Sequence, residues 1–135
     1  MRVLLDINVL LDVVLARTPW HLASARVLAA VEHDRLEGCV AGHTLPTIHY
    51  VVMKSRGRDA AAAAVTDFLG LVDVIPVETA DFQRALVLPI DDFEDAVQAA
   101  AGLRADVEHI VTRNERDFAS GPVPPIRPEE LLAVL

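Results

Sequence analysis

The chain has 135 residues, of which 53% are hydrophobic and 24% charged, and it carries a formal net charge of −8. That length and apolar fraction imply a single folded domain over residues 1–135 with a proper core, and they exclude a disordered chain. A pI near 4.9 argues against a non-specific nucleic-acid binder, which is ordinarily basic. It leaves room for an enzyme whose acidic site carries divalent cations.

No run of roughly 18 uncharged apolar residues occurs, so no transmembrane helix is expected. Met1-Arg2 leads straight into an apolar run, so no signal peptide is expected either, and the expected location is the cytoplasm. The lone cysteine, Cys39, can form no internal disulfide, and its apolar neighbours predict a buried thiol.

Taken in order, Arg2 to Leu5 is an apolar run without polar alternation, as in a strand buried on both faces of a parallel sheet. It stops at Asp6. Asn8 to Ala16 has Val9, Leu10, Val13 and Val14 at helical spacing. Thr18 then reads as an N-cap with Pro19 at the first helical position, opening a helix to about Glu32 that buries Leu22, Ala25, Val27, Leu28 and Val31. Leu36 to Ala41 reads as a second buried strand. Gly42 to Pro46 opens a third helix running to about Lys54.

After the basic turn Lys54–Arg58, an alanine-rich helix from about Asp59 to Leu71 has Val65, Phe68 and Leu69 on its apolar side. Asp73 to Val77 is a short strand, assigned to a sheet edge because of Pro76. Glu78 to Val87 is helical, and Asp92 to Leu103 forms another helix ended around Gly102. Glu108 to Thr112 is a strand, followed by a polar loop from Arg113 to Ser120, a brief final strand near Ile126 and a closing helix opened by Pro128. Strands alternating with helices predict an α/β fold, a three-layer α/β/α sandwich around a mostly parallel sheet.

Three polar clusters carry the candidate chemistry. Asp6 follows the first strand, where ligands of parallel sheets sit, and is either an N-cap or a functional acid. Asp92 and Asp95 lie three residues apart at a helix start, and Asp91 can join them. They either cap the helix and favour its dipole or, being like charges in close quarters, want a divalent cation between them. Thr112, Arg113, Asn114 and Asp117 follow a later strand, at the same sheet end as Asp6. Hard oxygen ligands select Mg²⁺ or Mn²⁺, which can activate water against a phosphodiester. Arg113 and Arg116 stand beside this site as candidate holders of the phosphates of such a substrate. His43 and His49 read as packing or surface residues, and Trp20 as core and rim.

Leu5-Asp6-Ile7-Asn8-Val9-Leu10-Leu11-Asp12, Asp92-Phe93-Glu94-Asp95-Ala96 and Val111-Thr112-Arg113-Asn114 with Asp117-Phe118 together resemble a PIN domain. Within that group the chain is similar to a VapC-type toxin of a bacterial toxin–antitoxin pair. The resemblance implies an Mg²⁺- or Mn²⁺-dependent endoribonuclease, a cognate antitoxin that covers the site, and frequent homodimers, with no membrane role. By position it gives Asp6 and Asp95 the leading acidic roles, adds Asp92, and leaves the last acidic role to Asn114 or Asp117. Asn8 matches a polar residue near the metal, with Thr112 and Asn114 supporting. The chain departs from the pattern in one place: the helix after the second strand lacks the usual Glu and carries Thr44, Thr47 and His49. That gap motivates a rival reading, a degenerate PIN domain that binds an antitoxin or RNA without cutting it. A phosphatase with Asp6 as nucleophile ranks lower, because Asn8 stands where that chemistry wants a second acid.

Overall fold

The computed structural model describes residues 1–135. In chain order the elements are β1 (Arg2–Leu5), α1 (Ile7–Val14), α2 (His21–Glu32), β2 (Glu37–Ala41), α3 (Thr44–Arg56), α4 (Arg58–Leu71), β3 (Asp73–Ile75), α5 (Thr79–Ala85), α6 (Phe93–Arg104), β4 (His109–Val111), α7 (Glu115–Phe118), β5 (Pro125–Ile126) and α8 (Pro128–Ala133). The strands form one parallel sheet in the order β3-β2-β1-β4-β5. Register pairs Val3 with Gly38, Leu4 with Ile110 and Val111 with Ile126. Asp73–Ile75 is an edge strand, as Pro76 predicts.

The apolar runs are explained by the pleat. Successive side chains of a strand point to opposite faces, and here both faces are covered. Val3, Leu5, Val40 and Val111 pack on one side with residues of α1, α2, α3, α4 and α8. Leu4, Cys39, Ala41, Ile75 and Ile110 pack on the other with α6 and with Phe118 of α7. This is the three-layer α/β/α arrangement. Cys39 is fully buried, and burial pushes its thiol up to about 11. No helix is long and apolar enough to cross a membrane.

Several local expectations are corrected. Gly102 does not end its helix; it lies inside α6. A Cβ there would meet Val107 Cγ2 at 3.0 Å and Leu4 Cδ2 at 3.4 Å, so glycine lets the helix press onto the sheet. Thr18 does not cap α2: the helix begins at His21, with Trp20 at the N-cap position. Leu22 and Ala25 face solvent, Leu22 at 63% exposure, because the buried stripe of α2 runs through Ser24, Val27, Leu28 and Val31. That set follows i, i+3, i+4, i+7 spacing, and the two exposed residues fall outside it. Leu69 misses the stripe Ala61, Ala64, Phe68 of α4 for the same reason. The stretch Arg113–Ser120 contains one helical turn, α7, pinned by buried Phe118.

Parallel strands bring their C-terminal ends to one edge. Asp6, Gly42, Pro76, Thr112 and Arg127 follow β1, β2, β3, β4 and β5 there, and this edge carries the polar clusters.

Candidate active site

Asp6 ends the central strand, and its two readings prove compatible. It is the N-cap of α1, accepting from the Ile7 amide at 2.9 Å, and it also heads the carboxylate cluster. Its own amide donates to the Val111 carbonyl at 3.0 Å, so the turn is tied to β4. Its side chain is 3% exposed and accepts two further bonds. Gln98 Nε2 donates to Oδ1 at 3.1 Å and Thr112 Oγ1 donates to Oδ2 at 2.9 Å. Thr112, fully buried, in turn accepts from the Asn114 amide at 3.0 Å, which fixes its hydroxyl toward Asp6. Burial raises the Asp6 pKa, and the three hydrogen bonds oppose that shift.

Asp95 comes from the first turn of α6. Gln98, one turn further on, donates to its Oδ1 at 3.4 Å with the same Nε2 that holds Asp6. Burial, then the charges of Asp6, Asp92, Asp117 and Glu94, push the Asp95 carboxyl up to about 7. Asp92 caps α6 by accepting from the Asp95 amide at 3.0 Å, so the capping reading of this residue is correct and coexists with its place in the cluster. Asp91, Asp92, Asp95, Asp117, Arg116 and Ser120 line one cleft of about 380 Å³. Asp6 sits behind Asp95 and is joined to it through Gln98.

The structure therefore puts Asp92, Asp95 and Asp117 on one cleft, with Asp6 linked to Asp95 through Gln98. Between the two candidates for the last acidic position, Asp117 lines the cleft, while Asn114 precedes α7 as its N-cap residue and gives no side-chain cap bond. Asn8 is half-buried in the first turn of α1. The two arginines separate. Arg116 is exposed, lines the cleft and joins no ion pair within the chain. Arg113 is held away by buried Asp12, with Nε 2.8 Å from Oδ2, and its guanidinium lies 3.9 Å from the centroid of the Trp20 ring.

No carboxylate enters from α3, whose first residue is buried Thr44. His43, just before it, donates from Nε2 to the Glu94 carbonyl at 3.1 Å, which ties the end of β2 to α6 and leaves Nδ1 buried without a partner. No three His, Cys, Asp or Glu side chains are grouped so that together they could hold a metal ion. The donors present are all oxygen, and two carboxylates on different elements meet at Gln98. That set fits Mg²⁺, which takes one or two protein carboxylates and keeps its waters, and does not fit a dehydrated multi-ligand site.

Gln98 is the residue at this site that sequence reading missed. Its signal was a single polar side chain in the run Ala96-Val97-Gln98-Ala99-Ala100-Ala101, three residues from Asp95 and six from Asp92. On a helix that spacing keeps it on the face of Asp95.

Among curated proteins, none matches this sequence. The sequence matches the family described as PIN domain over residues 2–116. The fold is similar to VapBC2 from Rickettsia felis, solved bound to a DNA fragment from their promoter, at 15% identity and TM-score 0.73, covering 94% of this chain and 98% of that one. It is also similar to Mycobacterium tuberculosis VapC20, described as a sarcin-ricin loop cleaving toxin, at 18% identity and TM-score 0.71, covering 88% and 95%. DNA-bound VapBC from Salmonella typhimurium matches at 19% identity and TM-score 0.72, covering 95% and 98%. At these identities the likeness carries the fold. The family match, spanning Asp6, Asp92, Asp95 and Gln98, establishes that the chain belongs to the PIN domain family.

Proposed function

We propose that the protein is a metal-dependent endoribonuclease, the toxin of a type II toxin–antitoxin pair. The observation that carries this reading is the Asp6–Asp95 pair, two carboxylates from separate elements joined by one amide beside an acidic cleft. A carboxyl lifted to about 7 by burial and neighbouring acids is the environment a cation reverses, since positive charge restores the ionised form.

Asp6 and Asp95 would hold Mg²⁺ or Mn²⁺, with Asp92 and Asp117 on the same cleft. The bound ion would supply a nucleophile from water at neutral pH and neutralise charge on the phosphate. The chain's own groups do the rest. Thr112 and Gln98 fix the Asp6 carboxylate, and Arg116 offers its guanidinium to an RNA phosphate from the cleft wall. Asp92, Asp95 and Asp117 offer carboxylate oxygens that can take the proton from the attacking water. The water oxygen bonds to phosphorus, the bond to the 3′ oxygen breaks and that oxygen takes a proton from solvent, leaving 3′-hydroxyl and 5′-phosphate ends.

The structural likeness to VapBC complexes and to a toxin described as cleaving the sarcin-ricin loop supports the toxin reading and an antitoxin partner. A cytoplasmic homodimer acting on RNA belongs to the same proposal. A second reading, a non-cleaving PIN domain that binds antitoxin or RNA, is favoured by the absence of a carboxylate from α3.

The experiment is cleavage of a mixed RNA pool with Mg²⁺, Mn²⁺ or EDTA, alongside Asp6→Asn. Metal-dependent cutting that falls at least about a hundredfold in the variant, with the thermal melt preserved, supports the nuclease. An Asp6→Asn protein as active as the parent sinks the assignment. Absence of cutting with either metal moves the reading to the binding protein.

A further inference from the structure

Gln98 is 2% exposed, in the middle of a helix whose neighbouring positions are alanine and valine. Such a position ordinarily takes another small apolar residue. Its amide nitrogen instead points at two acids, 3.1 Å from Asp6 Oδ1 and 3.4 Å from Asp95 Oδ1. Its carbonyl oxygen is buried with no hydrogen-bond partner. A buried acceptor left without a donor is destabilising. The rotamer is therefore set by the two carboxylates and not by the side chain's own best satisfaction. Bonds from an amide to charged acceptors are the stronger kind and offset that cost.

The geometry has a chemical meaning. The N–H donors occupy the place between two carboxylates where positive charge is wanted. With no carboxylate on α3, two elements must supply the pair alone, and nothing else in the chain bonds to both acids.

Resting on the nuclease reading above, we propose that Gln98 is a positioning residue for the cation site. It bridges Asp6 and Asp95 in the metal-free chain and holds them at the mutual spacing a divalent cation requires. It touches neither substrate nor the reacting atoms; it acts through the two acids.

The test uses the full chain and Mn²⁺ alone, with affinity read by electron paramagnetic resonance of free Mn²⁺. Gln98→Met keeps the volume and removes both donors. The expected result is Mn²⁺ affinity weaker by about 10–100-fold, the loss typical of removing a group that orients a ligand. An unchanged affinity overturns the proposal. If the parent chain itself takes no Mn²⁺, the nuclease reading has failed, and the bridging role is decided without metal. In EDTA, Gln98→Met should lose more melting temperature at pH 8, above the Asp95 value of about 7, than at pH 5. Equal losses at the two pH values mark a packing role and overturn the proposal. Should the Met variant not fold, Gln98→Glu, with the same shape and no N–H donors, should melt below the parent in EDTA at pH 8. A melt equal to the parent's overturns it.

Discussion

Arg113 reaches from the end of β4 to Asp12 of α1, its Nε 2.8 Å from Oδ2 and its Nη2 3.4 Å from Oδ1. Asp12 is fully buried, and its other cation, Arg17, stands at 3.6 Å. The pair clamps the segment that begins with Thr112, so the residue after the Asp6 donor is locked to the helix that follows Asp6. The far side of the guanidinium system is the Trp20 ring. A residue that sequence reading offered to RNA is thus engaged inside the protein.

Removing one partner of such a pair is costly because it strands a buried charge. Arg113→Met should therefore destabilise the chain by about 3 kcal/mol, with Arg17 as Asp12's remaining partner. Asp12→Asn should cost less, since both arginines can turn to water. Urea unfolding followed by Trp20 fluorescence, the chain's sole tryptophan, checks the order. Equal costs for the two variants would contradict the clamp.

Arg116 gives the opposite pattern. It is exposed on the cleft wall and has no intrachain ion pair, so Arg116→Ala should leave stability within about 0.5 kcal/mol. Binding of a short single-stranded RNA should weaken several-fold, and its salt dependence should become shallower. Fluorescence anisotropy in EDTA at two salt concentrations measures both. A variant with parental affinity and slope removes Arg116 from the RNA path.

The raised Asp95 carboxyl makes stability depend on pH in a defined direction. Its folded value, about 7, lies above the ordinary 3.8 of the unfolded chain. Between those values the native state holds a proton that the unfolded state has lost, so stability falls as pH rises through that window. In EDTA the parent should melt lower at pH 8 than at pH 5. Asp95→Asn should flatten that difference, and Mg²⁺ should raise the parent's melt more at pH 8. Calorimetry at both pH values decides it; an unchanged difference in the Asn variant would refute the assignment.

Gly102 offers a test of the packing that carries α6. A Cβ already meets Val107 at 3.0 Å, and the branches of valine would reach further toward Val107 and Leu4. Gly102→Val should cost about 1–3 kcal/mol by overpacking. Gly102→Ala should be milder, because the gain in helix propensity opposes the tight contact. Chemical denaturation of the two variants gives the comparison, and a valine variant as stable as the parent would show that the helix can retreat.

The layered architecture was legible in the amino-acid pattern alone. Strands buried on both faces leave unbroken apolar runs, as in Val3-Leu4-Leu5 and Cys39-Val40-Ala41, and helices between them force a parallel sheet with polar residues at its C-terminal edge. That was enough to bring Asp6, Asp92, Asp95 and Asp117 forward as one group. Local pattern also named the edge strand through Pro76. What it could not decide were matters of distance between elements. The alanine stretch of α6 reads as good helix whichever face it buries, and only packing against the sheet makes Gly102 a contact residue and Gln98 a bridge. Arg113 and Arg116 are equivalent in sequence, two cations beside an acidic loop. They part company because Asp12, about a hundred residues upstream, is buried within reach of one and not the other. Long-range pairing of this kind leaves no trace in local spacing; it exists only once α1 and the end of β4 meet at the same edge.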